Sequence, residues 1–513
     1  MPRILIADSL APAGVELLRE SAEVDQLRDK DRPRLPELIA DYDAVIVRSG
    51  TEITREVLEG GDRLKVVGRA GVGVDNIDLA AATQRGVLVI NAPTANSLSA
   101  TEHTFALLLA LARRIPSADA SLKAERWERK NHVGSELQGK TLGVIGFGQI
   151  GQRVATRARA FEMETLAFDP FLQEEVARRL DVEPVALEDL LARSDFITFH
   201  TPLTDQTRNM LDESRIALMK DGAAVINVGR GGVVDAEALL AALESGKLAG
   251  AGLDVFPVEP PTDFRLAAHP KVVATPHIGA QTTEAQDRIA TETARMVLAA
   301  LRGSLAVSAV NLPFRSSGSR GEPFLRLGEQ LGRLAAVALG GSLRRVQVDL
   351  WGIDEELQRS VAVAALKGAL IPSCGEGVNY VNAERTAADR RVELVQATHS
   401  DQASYAHGAE PAAGAWVADG VAEASGTTYR HGEIHGDLRV VSFAGFQLEF
   451  QPRGRLLFLR NRDVPGFVGR LGTLLGDAGI NIADIHLSRE PGGDALAVLR
   501  TTPACGRCWP STR

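Results

Sequence analysis

Three side chains of this 513-residue chain have types that can move a proton beside a carboxylic acid. Arg230 sits in NVGRGGVVD, Glu259 in LDVFPVEP and His277 in ATPHIGA, each shortly after an apolar, strand-like run. Histidine suits a proton acceptor, because its free pKa lies near neutrality. A neighbouring carboxylate fixes its tautomer and favours the imidazolium that forms. Arginine stays charged and offers a two-pronged fork to a carboxylate. Singly, each is compatible with a packed or solvated loop residue. Upstream, Thr141–Asp169 reads TLGVIGFGQIGQRVATRARAFEMETLAFD. Gly146 permits a tight turn, Gly148 lets backbone approach a diphosphate, and Gly151 lets helix and strand pack closely. Helix-start N–H groups and the helix dipole favour the diphosphate's charge. Asp169, 18 residues after Gly151, is placed to accept hydrogen bonds from adenosine ribose hydroxyls. A carboxylate there repels a 2′-phosphate, so NAD is favoured over NADP. Together these residues point to hydride transfer between an alcohol and NAD.

The elements that must position them alternate. RILIAD, DAVIVRSG, LKVVGRAG and VLVINAP predict strands separated by helices over residues 1–95. Such alternation argues a parallel sheet. Because the dinucleotide motif starts only at 141, this is a separate α/β unit. The second unit runs on through DFITFH, AAVINVGRGGVVD, GAGLDVF and VVATPHIG. In open α/β sheets ligands bind beyond the carboxyl ends of strands, where all three residues lie. The apolar run Phe105–Ala112 predicts a buried helix, started by Ser99 and Glu102 at capping-box spacing and ended near Arg113–Arg114. Its apolar surface suits either the core or a dimer contact. RSSGSRGE, from 315 to 322, reads as a linker. Beyond it, a region of mixed helices and strands precedes a strand–helix–strand–strand segment from about 452.

Size predicts about three or four domains. The formal charge is −9, from 57 basic and 66 acidic residues, with no basic block of nucleic-acid type. Nucleic acid is therefore not an expected partner. Three cysteines make no disulfide framework and suit a reducing cytoplasm. No apolar run is long enough for a membrane span.

The chain resembles the D-isomer-specific 2-hydroxyacid dehydrogenases in RAGVGVDNIDL, NAPTANSLSATEHTFALLLALAR, GKTLGVIGFGQIG, NVGRGGVVDAEAL, GLDVFPVEP and TPHIGAQTTEA. The resemblance covers roughly residues 1–313. It implies an α/β protein, with a Rossmann-type NAD domain (97–286) inserted in a flavodoxin-like substrate domain (1–96 and 287–314). It implies that His277 is the acid/base, that Glu259 tunes it, and that Arg230 holds the substrate. Cofactor contacts are implied for Gln149, Ile150, Asp169, Thr201, Val228, Gly229, Arg230, Asp254, His277, Ile278, Gly279 and Ala280, with Val72 near the nicotinamide. It also implies dimers through the nucleotide domains, and often tetramers. No metal is expected.

Residues 362–382 resemble the intervening domain of long-form phosphoglycerate dehydrogenases, assigned here to 323–449. NRDVPGFVGRLGTLLGDAGINIADIHLSR resembles a ligand-sensing, ferredoxin-like ACT domain, assigned to 452–513. That pairing implies 3-phospho-D-glycerate as substrate. Arg48, Ser49, Arg69 and Gly71 are candidates to hold it, and Arg129 and Lys130 are weaker ones. Alternatives are another 2-hydroxyacid or glyoxylate/hydroxypyruvate reductase, and an NAD-sensing binding module. Neither accounts for the region after 323. The resemblance points to Asn461, Asp463 and Asn481 at a serine effector site. After DALAVLR the expected second helix and fourth strand give way to TTPACGRCWPSTR. The ACT domain is therefore expected to be incomplete and serine feedback weakened or lost. Cys505 and Cys508 have no second ligand pair nearby for zinc.

Overall fold

The computed structural model describes residues 1–305, 308–315, 321–351, 353–399, 412–417, 422–431, 434–489 and 493–502. Most of the linker (316–320), and Cys505 and Cys508, lie outside the described residues.

Two parallel sheets carry the first 300 residues. The first orders its strands β2–β1–β3–β4–β5, with β1 Arg3–Ile6, β2 Glu23–Gln26, β3 Ala44–Val47, β4 Val66–Arg69 and β5 Leu88–Asn91. The second orders β12–β11–β10–β9–β6–β7–β8. Its strands are β6 Thr141–Ile145, β7 Glu164–Phe168, β8 Glu183–Pro184, β9 Phe196–Phe199, β10 Ala223–Asn227, β11 Leu248–Leu253 and β12 Val272–Ala274. All pairings in both sheets are parallel. Strands such as AVIV and TLGVI are buried at every residue, as parallel strands covered on both faces must be. Strand order reverses between β1 and β3 in one sheet and between β6 and β9 in the other. Those reversals open the crevices where ligands bind.

Helices Ser97–Ala112 and Thr283–Leu301 are the crossings between the two units. The second returns to the first sheet, where Val297 packs on Gly68 of β4. The first buries Phe105, Leu107 and Leu108 against the second sheet, so this face belongs to the core. Its start corrects the capping-box expectation. The helix begins at Ser97, and its cap position, Asn96, makes no side-chain cap bond. Ser99 lies inside the helix, and its hydroxyl bonds Thr282 Oγ1 at 2.8 Å. A tertiary partner took the hydroxyl that local spacing had assigned to the helix's own N–H groups.

Exposed apolar side chains follow the helix instead. Ile115, Leu122, Trp127 and Val133 are solvent-facing, Trp127 at 80%. Among the described residues, no helix is long and apolar enough to cross a membrane.

Helices Glu322–Leu339 and Glu355–Cys374 cover a six-stranded, mostly antiparallel sheet. Residues 455–502 form a strand–helix–strand–strand unit whose three strands order 455–462, 494–502, 481–489. One face of this small sheet carries the helix Phe467–Asp477 through Leu471 and Leu475. The other face, with Leu456, Phe458, Leu496 and Val498, joins the core of the six-stranded sheet. The Phe458 ring lies tilted 4.7 Å from Phe443 and edge-on 5.8 Å from Phe450, centroid to centroid. The two regions therefore share one core.

Candidate active site

A cleft of about 410 Å³ lies where the two parallel sheets meet. Val72, Gly73, Val74 and Asp75 line it from the first unit, and Asn96 and Ala100 from the crossing helix. Ile150, Thr201, Val228, Gly229, Arg230, Asp254, His277, Gly279 and Ala280 line it from the second.

His277 follows β12 and takes a left-handed backbone, φ 53°. Non-glycine residues adopt that region at a cost, and only where surroundings enforce it. Here its N–H donates to Asp254 O at 2.8 Å. Its Nδ1 meets Glu259 Oε2 at 2.5 Å, and Glu259 Oε1 accepts from Phe256 N–H at 3.0 Å. Burial would raise the Glu259 pKa. The bonds from His277 and Phe256, with the charge of Arg230, outweigh it and hold the carboxyl ionised. An ionised partner keeps the proton on Nδ1 and leaves Nε2 as the basic nitrogen.

Asp254, at the end of β11, is fully buried and organises the same segment. Its carboxylate accepts from Thr275 Oγ1 (2.6 Å), Ile278 N–H and Gly279 N–H (both 2.8 Å), with His103 Nε2 at 3.2 Å. Burial pushes its pKa up, yet these donors hold it below the usual range.

Arg230 belongs to a loop folded by buried Asn227, which accepts from Gly229 N–H and donates to Arg230 O. The guanidinium crosses the cleft to Asp75, Nε to Oδ2 3.4 Å. A β-carbon on residue 73 would collide with Arg230 Nη2, so a larger residue there would have to displace the guanidinium. Arg48, Ser49, Arg69 and Gly71 do not line the cleft. Arg69 nevertheless lies within the field of both Arg230 and Arg48. Burial and these two charges push its pKa down to about 10, and its buried Nε has no partner among the described residues. Arg129 and Lys130 are exposed in a single turn outside the cleft.

The glycine loop fits a dinucleotide. A β-carbon at Gly146 would lie 2.6 Å from His200 O, and one at Gly151 would collide with Gly146 O. Strand and helix thus approach as closely as the motif requires. At Gly148, which precedes the helix Gln149–Ala160, a β-carbon would meet nothing within 4 Å, so the loop is open. Thr201 Oγ1 is buried in the cleft without a partner among the described residues. Asp169 accepts from Phe147 N–H at 2.7 Å and Phe171 N–H at 2.8 Å, tying the end of β7 to this loop. His200 beside it stays neutral, since desolvation pushes its pKa down to about 3.

Sequence reasoning missed Asp75, His103, Thr275 and Asn227. Asp75 stands in the quoted GVGVDN run, but its partner is remote. The effector candidates are not brought together within one chain. Asn461 pairs with Ala495, whereas Asn481 pairs with Thr502 at the far end of the same strand. Seven residues of strand separate them, about 23 Å at 3.3 Å per residue. Asp463 is near the Asn461 end and pairs with Arg489 at 3.2 Å.

Comparison with known proteins shows the chain's family. The family described as "D-isomer specific 2-hydroxyacid dehydrogenase, NAD binding domain" matches residues 105–279. "D-3-phosphoglycerate dehydrogenase intervening domain" matches 321–412. The chain is 41% identical over 504 residues to a D-3-phosphoglycerate dehydrogenase of Methanocaldococcus jannaschii, covering 97% of this chain and 95% of that one. For the enzyme of that name in Bacillus subtilis the figures are 40%, 97% and 94%. Among solved structures, the TT0316 protein from Thermus thermophilus matches at 36% identity and TM-score 0.56, covering 60% of this chain and 99% of that one. A D-lactate dehydrogenase from Aquifex aeolicus, complexed with NAD and lactic acid, matches at 32% identity and TM-score 0.53, with 59% and 96% covered.

The depressed pKa of Asp254 sets a pH test. A carboxylate whose folded pKa lies below its unfolded value stabilises the fold above the unfolded pKa, about 4. That stabilisation is lost as pH falls through the folded value. Asp254→Asn should therefore cost stability at pH 7 and progressively less below about pH 4. Urea midpoints of both proteins across that range measure it, and an equal cost at every pH would refute the assignment.

Proposed function

We propose, for a chain that belongs to the D-3-phosphoglycerate dehydrogenase family, that its cleft oxidises 3-phospho-D-glycerate to 3-phosphooxypyruvate with NAD, in L-serine biosynthesis. The observation that carries the residue roles is that His277, paired with Glu259, lines the same cleft as Arg230. His277 Nε2 takes the proton of the C2 hydroxyl as the hydride leaves C2. Bound NAD supplies the hydride acceptor. Glu259 holds the imidazole tautomer and stabilises the imidazolium. Arg230 receives the substrate carboxylate and the developing carbonyl oxygen. Gly146, Gly148, Gln149, Ile150 and Gly151 cradle the diphosphate and Asp169 takes the ribose. Thr201, Val228, Gly229, Asp254, Ile278, Gly279, Ala280 and Val72 complete the cofactor's surroundings. The excess positive charge of Arg48 and Arg69 beside Arg230, with Ser49 and Gly71 in the same loops, suits the substrate's phosphate.

His277→Asn should remove turnover with 3-phosphoglycerate while leaving NAD binding nearly intact. NADH absorbance and an NAD titration measure the two. Loss of both would make His277 structural, and retained turnover would reject its role.

Ile115, Leu122, Trp127 and Val133 expose apolar surface along one segment, and we propose that a second copy of the chain covers it. Trp127→Glu should shift size-exclusion elution from dimer or tetramer to monomer. An unchanged assembly would exclude this face.

Serine is the proposed effector, and its site is shared between chains. Asn481–Arg489 is an edge strand. Two-fold antiparallel pairing along it would bring Asn481 of one chain to Arg489, and so to Asp463, of the other. Feedback is expected to be weakened or lost, because the described unit holds one helix and three strands where the ACT resemblance calls for a second helix and a fourth strand. Serine titrated into the NADH assay should therefore inhibit weakly or not at all, and ordinary micromolar inhibition would overturn this.

A further inference from the structure

His277 depends on a segment that must pass from β12 into helix Thr283–Leu301 while holding a left-handed residue in its middle. Two side chains of the crossing helix Ser97–Ala112 grip that segment on either side of the histidine. His103 Nε2 meets Thr275 Oγ1 at 2.9 Å, two residues before His277, and Asp254 Oδ1 at 3.2 Å. Ser99 Oγ meets Thr282 Oγ1 at 2.8 Å, five residues after it. Ser99 and His103 are four apart, so one helix face presents both. Thr282 also accepts from Ala285 N–H, which ties the second grip to the first turn of the next helix. Both gripping side chains are largely withdrawn from solvent: Ser99 is buried and the His103 side chain is 15% exposed. The segment has little room to shift, since a β-carbon at Gly279 would stand 3.0 Å from Asp254 Oδ2 and 2.9 Å from Val228.

We propose that Ser99 and His103 form a two-point clamp that positions His277 for proton transfer. They are positioning residues, because they act through Thr282, Thr275 and Asp254. The clamp has a second consequence. The Ser97–Ala112 helix and the segment leading into Thr283–Leu301 are the two passages of the chain between the units, so the same bonds tie both passages together. The inference rests on His277 as the acid/base.

Single-turnover formation of NADH from 3-phosphoglycerate, by stopped flow, separates positioning from folding. A folding defect lowers the amplitude, whereas misplacement lowers the rate. A shift of about 1 Å can cost on the order of 100-fold, so His103→Leu should slow the rate about tenfold or more with the amplitude per folded protein kept. Ser99→Ala should slow it less, in the same direction. His103→Gln, whose amide can reach Thr275 as Nε2 does, should restore most of the rate. Unchanged rates in both His103→Leu and Ser99→Ala overturn the clamp, as does a Gln variant no better than Leu. If His103→Leu does not fold, Ser99→Ala decides alone, and an unchanged rate there overturns it. Retained turnover in His277→Asn would instead remove the reading on which the clamp rests.

Discussion

One buried carboxylate organises the reactive end of this cleft. A charge in Asp254's fully buried position costs several kcal/mol unless donors replace its water. The chain replaces it from three directions: a side chain and two backbone N–H groups of residues 275–279, and a histidine from a helix more than 140 residues earlier. Meeting those bonds leaves the 275–279 segment few conformations. The conformation it takes places His277 at positive φ, with its N–H on Asp254 O and its ring toward Glu259. The strain at His277 is thus supported by the same residue whose charge the segment must satisfy.

Positive charge gathers on the first unit's side, which Arg230 reaches across the cleft. Burial, with the charges of Arg230 and Arg48, depresses Arg69, and the cost is partly met by Asp75 and Asp8. Asp8 sits at the reversal of the first sheet and accepts from Arg48 N–H (2.6 Å), Thr51 N–H (3.1 Å) and Thr51 Oγ1 (2.9 Å), with Arg32 at 3.0 Å. A carboxylate therefore shapes each side: Asp8 the arginine loop, Asp254 the histidine segment.

What was legible in the sequence follows from the range of the interactions. The glycine loop is local, so its spacing reports its geometry directly, down to the β-carbon clearances at 146 and 151. Arg230, Glu259 and His277 were legible because each follows a strand of a parallel sheet. Ser99 was misread because serine three residues before glutamate is also the pattern of a cap. Its actual partner lies 183 residues away, and His103's partner Thr275 lies 172 away, beyond any local pattern. The effector residues were grouped by motif, but strand register sets where they stand, and register is a property of the partner strand.

The C-terminal half reaches the cleft through packing. The small sheet of residues 455–502 shares a core with the six-stranded sheet, so the two cannot turn on each other without exposing Phe443, Phe450 and Phe458. Motion of one carries the other. That joint body is seated on the first unit by the loop before helix Ala383–Asp389. Val381 enters the first sheet's core, and Asn379 Nδ2 donates to Gly86 O at 2.7 Å. Gly86 closes the helix Leu79–Arg85, whose other end is capped by Asp78, three residues from Asp75 in the cleft wall. Asn379 itself is held by Asn382 and its neighbour Tyr380 by Glu329, so the seat is rigid on its own side. A displacement of the C-terminal body would therefore bear on the far end of the helix that starts beside the Arg230–Asp75 pair.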